Sequence, residues 1–360
     1  MKIALTAALA TAALGLTAAT PEPTPAPAPA PVSRTEATRT VSAWLPWWDV
    51  ETGYRDALAH ADRLHTVSPF WYATDVDVDG GDGGAGVEVT RETGAGDRRI
   101  IDGLHAEGVK VVPTVTESLY APAMVDLLED PARRTAHVDA LVGVATSRAY
   151  DGLDLDYERM TETEDTALRE RVRTGYNTLT TELCARLHAL RKQCVITVMP
   201  RTEDAGQAFD YARLGRVADR LRIMGYNLHN ALAAPGPLSS TAWYEEFVGY
   251  ATAVVPRDKL EVALPAYGWN WTVGSKARAT HVTAREAEAL RRRVGAPYAL
   301  DAASGTPHFT YVDADGERHE VWYQDANGAA THLAVLARHG VRGVGLWALG
   351  FEEADLWDAL

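Results

Sequence analysis

The sequence has few cysteines and too few basic side chains to balance its acidic ones. Its 360 residues include 2 cysteines, and 35 lysines and arginines stand against 49 aspartates and glutamates, giving a formal net charge of −14. Nucleic acids and anionic membrane surfaces attract basic proteins, so this charge argues against both as partners. The hydrophobic content of 46% is ample for a sizeable core, in one large domain or two average ones.

Signals for cofactors and metals are also missing. No Gly-rich phosphate-binding turn follows the first predicted strand, where Trp47 and Trp48 stand instead. No pair of histidines has convincing metal-ligand spacing. The stretch Asp75–Gly80 imitates the start of a calcium loop, but the twelfth position is Gly86 instead of the bidentate Glu, which favours a hairpin turn. The sequence therefore predicts no metal and no cofactor.

The N-terminus has the order of a secretory signal peptide. Lys2 is followed by an apolar, Ala- and Leu-rich run, Ile3–Ala19, that ends in small residues. A Pro/Ala tract, Thr20–Val32, follows and is typical of an extended spacer. We predict a signal peptide over 1–19, a linker over 20–37 and a folded domain over 38–360, in a secreted protein that has no membrane attachment after cleavage. An uncleaved membrane anchor is the alternative.

The two cysteines fit an exported protein. Cys184 falls late in a predicted helix, and Cys194 begins the next predicted strand. A disulfide between them would close a short loop and stabilise the fold by roughly 2–3 kcal/mol. Two free thiols are the alternative.

Short apolar runs alternate with amphipathic helical patterns from residue 40 onward. Eight such units in about 320 residues predict an α/β (β/α)8 TIM barrel, and a doubly wound open sheet is the alternative. Between the last two strands, His308–Val312 and His319–Tyr323 flank an Asp/Gly turn, which predicts an inserted β-hairpin. The predicted barrel strands are Val41–Leu45, Leu64–Tyr72, Lys110–Thr116, Gly152–Tyr157, Val195–Met199, Leu221–Tyr226, Leu260–Tyr267 and Gly343–Ala348.

The fourth predicted strand carries an unusual row of acids. Asp154, Asp156 and Glu158 alternate with apolar residues and therefore share one face of the strand. Carboxylates on a parallel strand covered on both faces cost several kcal/mol each unless they are paired or protonated, so the row indicates chemistry. Glu158 would sit nearest the active-site mouth, and crowding should keep it protonated near neutral pH, as a general acid requires. Asp151 is out of phase with this face and is interpreted as structural.

Four motifs occur in order along the predicted strands: Asp151-x-x-Asp154-x-Asp156-x-Glu158, Met224-Gly225-Tyr226-Asn227, Leu264-Pro265-Ala266-Tyr267-Gly268 and Trp347 on the eighth strand. They resemble the motifs of glycoside hydrolase family 18, the chitinase-type barrels. The segments Phe309-x-Tyr311 and Val321-Trp322-Tyr323-Gln324-Asp325 are most similar to the bacterial branch related to spore and cell-wall hydrolases.

This resemblance implies roles for individual residues. Glu158 would protonate the glycosidic oxygen, and Asp156 would orient the 2-acetamido group of the substrate, which itself acts as the nucleophile. Asp154 would lie beneath and tune the proton balance of Asp156. Tyr226 would hydrogen-bond the acetamido carbonyl, and Trp347 would form the floor under the sugar.

Further substrate contacts are expected around these residues. The motifs place Met224, Asn227 and Tyr267 at the site; Asn227 replaces the usual Asp, which removes a charge. Aromatic residues near strand ends suit a groove for sugar rings, so we also predict substrate contacts for Trp48, Trp71 and Trp271. The acids Glu117, Glu203 and Asp204 follow the third and fifth strands and could contact substrate.

The sequence therefore predicts a secreted, retaining hydrolase of β-linked N-acetylglucosamine-containing glycans. Chitin, chitooligosaccharides and peptidoglycan are the leading substrates, and the protein is expected to be a monomer. An endo-acting enzyme on N-glycans and a carbohydrate-binding protein without turnover are the alternatives.

Overall fold

Eight parallel strands close into a barrel, as the alternating pattern of the sequence predicts. The computed structural model describes residues 39–77 and 86–360. The predicted signal peptide and linker lie outside the described residues, as does the second half of the Asp75–Gly80 stretch. The strands are β1 (Thr40–Pro46), β2 (Leu64–Asp77), β3 (Gly86–Arg91), β4 (Lys110–Val111), β5 (Thr114–Glu117), β6 (Gly152–Asp156), β7 (Gln193–Val198), β8 (Arg220–Met224), β9 (Leu260–Pro265), β10 (Tyr267–Thr272), β11 (Thr280–Thr283), β12 (Ala299–Leu300), β13 (Pro307–Val312), β14 (Arg318–Tyr323) and β15 (Gly343–Trp347).

The barrel strands follow the order β1-β15-β9-β8-β7-β6-β5-β2, and the pairing of β1 with β2 closes the ring. Every neighbouring pair in this ring is parallel. β4 extends the pairing along β2, and β3 pairs with β2 in the antiparallel sense beyond the barrel. The prediction of a TIM barrel is confirmed, and the open doubly wound sheet is excluded by the closure.

Helices follow most of the barrel strands, and several begin at a side chain that caps free backbone N–H groups. Asp165 accepts hydrogen bonds from the first turn of the helix Thr166–Ala189, and Thr283 forms a capping box with Glu286 at the start of the helix Ala284–Arg293. The helices are α1 (Val50–Ala59), α2 (Arg98–Ala106), α3 (Ala121–Glu129), α4 (Pro131–Thr146), α5 (Thr166–Ala189), α6 (Tyr211–Val217), α7 (Thr241–Val254), α8 (Ala284–Arg293), α9 (Ala326–His339) and α10 (Leu356–Ala359).

The insertion between the last two barrel strands is larger than the predicted hairpin. The hairpin is present as β13 and β14, but it belongs to a five-stranded antiparallel sheet of order β11-β10-β14-β13-β12, and α8 lies within the same insertion. The seventh barrel strand was predicted to run through Tyr267, yet β9 ends at Pro265 and Tyr267 begins β10 of the second sheet. Two sheets therefore meet where the motif around Tyr267 lies.

Cys184 of α5 and Cys194 of β7 form a disulfide, with a distance of 5.3 Å between their Cα atoms. Both residues are buried in the core between the helix layer and the barrel. Among the described helices, none combines the length and the apolar content needed to cross a bilayer.

Candidate active site

Three carboxyl groups form a ladder at the carboxyl end of β6. Asp154 is fully buried, Asp156 is 3% exposed, and Glu158 lies two residues further on and is half-buried. Alternation along the strand turns Asp154 and Asp156 to the inner face of the barrel, as the sequence predicts, and Glu158 lines the same cleft from just beyond the end of the strand. The carboxyl ends of barrel strands form the face that bears active sites in this fold.

Asp154 is the lowest member of the ladder, and its oxygens are fully engaged. Its Oδ2 accepts hydrogen bonds from Trp44 Nε1 at 3.0 Å and from Thr114 Oγ1 at 2.8 Å. Its Oδ1 accepts a hydrogen bond from Thr197 Oγ1 at 2.7 Å, and Nη1 of Arg222 lies 2.9 Å from Oδ2. Asp154 therefore contacts no ligand in the cleft and can act only through the residues above it.

Arg222 supplies the positive charge that pairs with the buried carboxyl groups of Asp154 and Glu261 inside the barrel. Its role was not predicted from the sequence. It is buried beside Glu261, to which its Nε donates a hydrogen bond, and its guanidinium lies 4.5 Å from the ring centroid of Trp44. Its Nη2 donates to Ser42 Oγ at 3.2 Å. The sequence did contain a signal for this ion pair. Arg222 and Glu261 are charged residues within parallel strands, as are the acids of β6, and charges buried in such strands must be paired.

Asp156 is the central member of the ladder and faces the cleft. Burial is the main cause that raises its pKa well above the usual range, and the nearby charges of Glu158 and Asp154 add to this, while Arg222 opposes it. Its Oδ1 is buried and has no hydrogen-bond partner among the described residues. This oxygen can therefore bind a polar group of a ligand.

Glu158 is the outermost member of the ladder. Burial raises the pKa of its carboxyl group to about 7, and the charge of Glu162 contributes in the same direction. A substantial fraction of Glu158 is therefore protonated at neutral pH. The charge of Glu158 is also among the causes that raise the pKa of Asp156, so the two carboxyl groups titrate as a pair.

A cleft of about 570 Å³ opens above the ladder. Eight of the residues predicted to form the site lie in its wall, while Asp154, Trp71 and Trp271 do not. The lining consists of Trp48, Phe70, Asp156, Glu158, Met199, Pro200, Ala205, Met224, Tyr226, Asn227, Asn230, Trp243, Tyr267, Trp269, Arg278, His281 and Trp347.

Trp347 is the centre of an aromatic cluster in this cleft. Its ring centroid lies 5.0 Å from that of Phe70, 5.6 Å from that of Trp44 and 6.3 Å from that of Trp48. Such edge-on and tilted contacts hold an aromatic ring rigidly, so its free face can bind an apolar surface at a low entropic cost. The C–H face of a sugar ring is a surface of this kind.

The residues after β8 supply polar groups to the opposite wall. Burial raises the pKa of Tyr226 well above its usual value, so its hydroxyl stays protonated and can donate. Asn227 has φ of 66°, a left-handed conformation that asparagine tolerates. Its Oδ1 accepts hydrogen bonds from Tyr267 Oη at 2.6 Å and from Trp269 Nε1 at 3.2 Å. Asn227 thereby ties the end of β8 to the second sheet.

The prediction that Trp71 contacts substrate is wrong. Its side chain is fully buried and packs near Tyr150, with ring centroids 6.4 Å apart. Neighbouring residues of a strand point to opposite faces, and the inward position at this point of β2 belongs to Phe70, which lines the cleft.

The prediction for Trp271 is also wrong. It is 4% exposed, and its Nε1 donates a hydrogen bond to the carbonyl oxygen of Ala233 at 2.9 Å. Trp269, on the same face of β10, lines the cleft instead. Two residues along a strand span about 7 Å, which carries Trp271 past the rim of the barrel.

Other residues of the site were missed or misplaced by sequence reasoning. Phe70, Trp243 and Arg278 line the cleft without belonging to any motif, and Arg278 reaches it only because the inserted sheet folds over the barrel. Trp269, one of the tryptophans that fall at predicted strand ends, lines the cleft as well. Glu117 was expected to contact substrate, but it is buried away from the cleft and accepts hydrogen bonds from the backbone beside Glu158.

One group of potential metal ligands occurs among the described residues. Atoms of Asp313, Glu317 and His319 lie within 4.8 Å of one another at the turn between β13 and β14. Asp313 there accepts the backbone N–H of Glu317 at 2.9 Å and faces His319 Nε2 at 3.1 Å. These contacts account for the cluster as part of the turn, and none of its members lines the cleft.

Comparisons with known proteins agree with this geometry. The chain is 25% identical over 269 residues to the uncharacterized glycosylase YvbX of Bacillus subtilis (strain 168), covering 71% of this chain and 76% of that protein. It is 25% identical over 241 residues to the cortical fragment-lytic enzyme of the same organism, covering 64% of this chain but only about half, 54%, of that enzyme.

The fold is shared with solved structures of the same kind. A chitinase from Chromobacterium violaceum superposes with a TM-score of 0.77 at 24% identity, covering 89% of this chain and 98% of that one. The family model described as "Glycosyl hydrolases family 18" matches residues 105–352. This match spans most of the chain and includes the carboxyl ladder, the β8 motif and Trp347, and the chain therefore belongs to glycosyl hydrolase family 18.

Proposed function

We propose that the protein is a retaining glycosidase that hydrolyses β-linked N-acetylglucosamine-containing glycans with assistance from the substrate's own acetamido group. One observation carries the proposal: among the described residues that line the cleft, the only carboxyl groups are Asp156 and Glu158, and both have raised pKa values. Asp156 ends β6 and Glu158 lies two residues beyond it, and no third carboxyl group among the described lining residues could act as a separate nucleophile.

In the first step, Glu158 donates its proton to the glycosidic oxygen as the bond from that oxygen to the anomeric carbon breaks. The carbonyl oxygen of the 2-acetamido group attacks the anomeric carbon and forms a cyclic oxazolinium ion, with the positive charge shared by the acetamido nitrogen. The unpartnered Oδ1 of Asp156 is available to accept the N–H of this group and to stabilise its charge. Tyr226 can donate its hydroxyl proton to the acetamido carbonyl.

In the second step, water attacks the anomeric carbon from the side that the leaving group left. Glu158, now a carboxylate, takes the proton of this water, and the oxazolinium ring opens to restore the acetamido group. Two inversions give net retention, and the proton returned to Glu158 resets the enzyme. A pKa of about 7 suits a group that must donate in one step and accept in the next.

Chitin-type oligosaccharides and the glycan strand of peptidoglycan are the proposed substrates. An apolar floor at Trp347 and an extended cleft suit a chain of sugar rings. Relatives named cortical fragment-lytic enzyme and di-N-acetylchitobiase support the proposal of these two substrate classes. The presence of Glu158 at the position of the acid, together with membership of a hydrolase family, favours catalysis over binding alone.

The N-terminal sequence supports the further proposal that the protein acts outside the cell. Residues 1–37 have the order of a signal peptide followed by a Pro/Ala spacer. We propose that it is a monomer that reaches an extracellular or cell-wall glycan.

The substrate can be identified from the products of the reaction. Chitin oligosaccharides, peptidoglycan and N-glycans are incubated in parallel with the protein, and mass spectrometry follows the fragments. We expect cleavage next to N-acetylglucosamine with retained β-configuration, which NMR of the fresh product detects. Comparable hydrolysis of a plain β-glucoside, which has no acetamido group, would contradict assistance by the substrate.

A further inference from the structure

Glu117 ends β5 with a carboxyl group that is buried but does not line the cleft. It is 7% exposed. Its Oε2 accepts the backbone N–H of Glu158 at 3.0 Å, and its Oε1 accepts the backbone N–H of Met160 at 2.8 Å. Each oxygen of the carboxyl group thus binds one N–H of the segment that bears the outermost carboxyl of the ladder.

These two N–H groups lie where regular structure cannot satisfy them. β6 ends at Asp156, and a three-residue 3₁₀ helix begins at Arg159, with Glu158 between them at φ −112° and ψ −45°. N–H groups at the start of a helix have no partner within it, so a side chain from another element must supply the acceptor. Glu117, from the neighbouring barrel strand, is that side chain.

The two hydrogen bonds lie on either side of the Glu158 side chain. One holds the peptide unit that precedes its Cα atom, and the other holds the turn two residues later. On the other side of the turn, Thr161 donates its backbone N–H and its hydroxyl to the carbonyl oxygen of Glu158, at 2.9 and 2.7 Å. The backbone that carries the Glu158 carboxyl is therefore held at both ends by specific contacts.

Charge links Glu117 to the ladder as well. Burial raises its pKa to about 8 in spite of the two N–H groups, and the charge of Glu158 adds to the shift. Its own charge contributes to the raised pKa of Asp156. Glu117 is thus a third acid of the same electrostatic cluster, placed outside the space that a substrate occupies.

We propose that Glu117 is a positioning residue for the acid of the reaction: by binding the backbone N–H groups of Glu158 and Met160, it holds the Glu158 carboxyl in reach of the glycosidic oxygen. The proposal rests on the role of Glu158 given above. A side chain that touches no substrate should influence the rate of the chemical step and leave substrate affinity nearly unchanged.

The variant Glu117→Gln tests this directly. It has nearly the same shape, but its amide group has one acceptor oxygen and an NH₂ that would face an N–H, so one of the two hydrogen bonds is lost. A shift of the acid by about 1 Å lowers the rate on the order of 100-fold, so we expect kcat to fall about 10- to 100-fold. KM should change little.

Asp151→Asn is the matched control. Asp151 stands at the opposite end of β6, and its Oδ2 accepts the backbone N–H of Val111 at 2.8 Å and lies 2.8 Å from His105 Nε2. Both contacts go to one oxygen, so the amide oxygen of Asn can still accept the N–H of Val111, and the variant makes the same carboxyl-to-amide change just before β6 without touching the Glu158 segment. We expect this variant to keep its kcat.

The outcomes separate the two proposals. If Glu158→Gln is inactive while Glu117→Gln keeps the kcat of Asp151→Asn, the positioning role is overturned and the proposed function stands. If Glu158→Gln stays active, both fail. Should Glu117→Gln not fold, hydrogen exchange of the wild-type protein decides: slow exchange of the Glu158 and Met160 amides supports the proposal, and exchange as fast as in exposed loops overturns it.

Discussion

Arg222 and Asp154 form an ion pair that is sealed inside the barrel directly beneath the cleft, with 2.9 Å between Nη1 and Oδ2. Neither side chain is more than 1% exposed. The pair holds the lowest carboxyl group of the ladder in place, and the charge of Asp154 contributes to the raised pKa of Asp156 above it. The base of the ladder is therefore a buried ion pair, whereas burial raises the pKa of the two carboxyl groups above it.

Removal of the guanidinium should severely destabilise the fold. Arg222→Leu leaves Asp154 and Glu261 buried without a counterion, and breaking a buried pair in this way costs about 3–5 kcal/mol in the free energy of unfolding. Urea denaturation measures the loss. Arg171→Leu is the control, since its ion pair with Glu129 is about half exposed and should contribute less than about 1 kcal/mol. Equal losses in the two variants would contradict a special role for the buried pair.

Glu158→Gln should abolish most of the catalysis and leave binding intact. The amide keeps the shape and loses the transferable proton, so we expect kcat to fall by on the order of 10²- to 10⁴-fold. The affinity for a chitin oligosaccharide, measured by calorimetry, should stay nearly unchanged. Glu164→Gln is the control variant, because the carboxylate of Glu164 lies outside this cleft. Activity that survives in Glu158→Gln would remove this residue from the acid role.

Activity should decline as the pH rises through about 7. Glu158 must be protonated to donate, and its pKa of about 7 means that the competent fraction falls above that pH. Glu162 raises this pKa, so Glu162→Gln should move the upper limb of the kcat/KM profile to lower pH. Because Glu162 is exposed, added salt should reduce the difference between the variant and the wild type. An upper limb unaffected by either change would assign it to another group.

Phe70→Ala and Trp71→Ala should have different effects on binding and stability, because the two side chains lie on opposite faces of β2. Phe70 supports Trp347 in the cleft, so its loss should weaken oligosaccharide binding. Trp71 lies in the core, and its truncation should cost about 3–5 kcal/mol of stability while binding by the folded protein persists. The two variants are compared by thermal unfolding and by calorimetry. Weaker binding in Trp71→Ala than in Phe70→Ala would contradict the orientation of β2.

The parts of the fold that follow from periodic patterns were predictable. Alternating apolar strands and amphipathic helices reveal a barrel because each unit repeats the same local arrangement, and three acids at alternate positions must share a face whatever surrounds them. The hairpin of β13 and β14 has a local turn signal and was also found. The five-stranded sheet around it was not, because the pairing of β10 with β14 joins segments that are distant in sequence.

Residues without a motif show where sequence reasoning stopped. Trp71 and Trp271 were assigned to the cleft because aromatic residues near strand ends suit a groove for sugar rings. Trp71 is one residue from the inward position at Phe70 and faces the other way, and Trp271 lies two residues beyond the cleft-lining Trp269. Glu117 was seen as an acid at a strand end, and nothing local reveals that both of its oxygens bind the backbone of the segment that follows β6.

The sequence by itself determined the barrel, the order of the acids on β6 and the family of hydrolases, since all three depend on spacing along one strand or on motifs in order. Only the tertiary structure decided which groups surround each carboxyl of the ladder. Arg222 of β8 lies against Asp154, and Glu117 of β5 binds the backbone N–H of Glu158. The proton affinity of a buried carboxyl is determined by the charges and N–H groups around it, and these come from other strands.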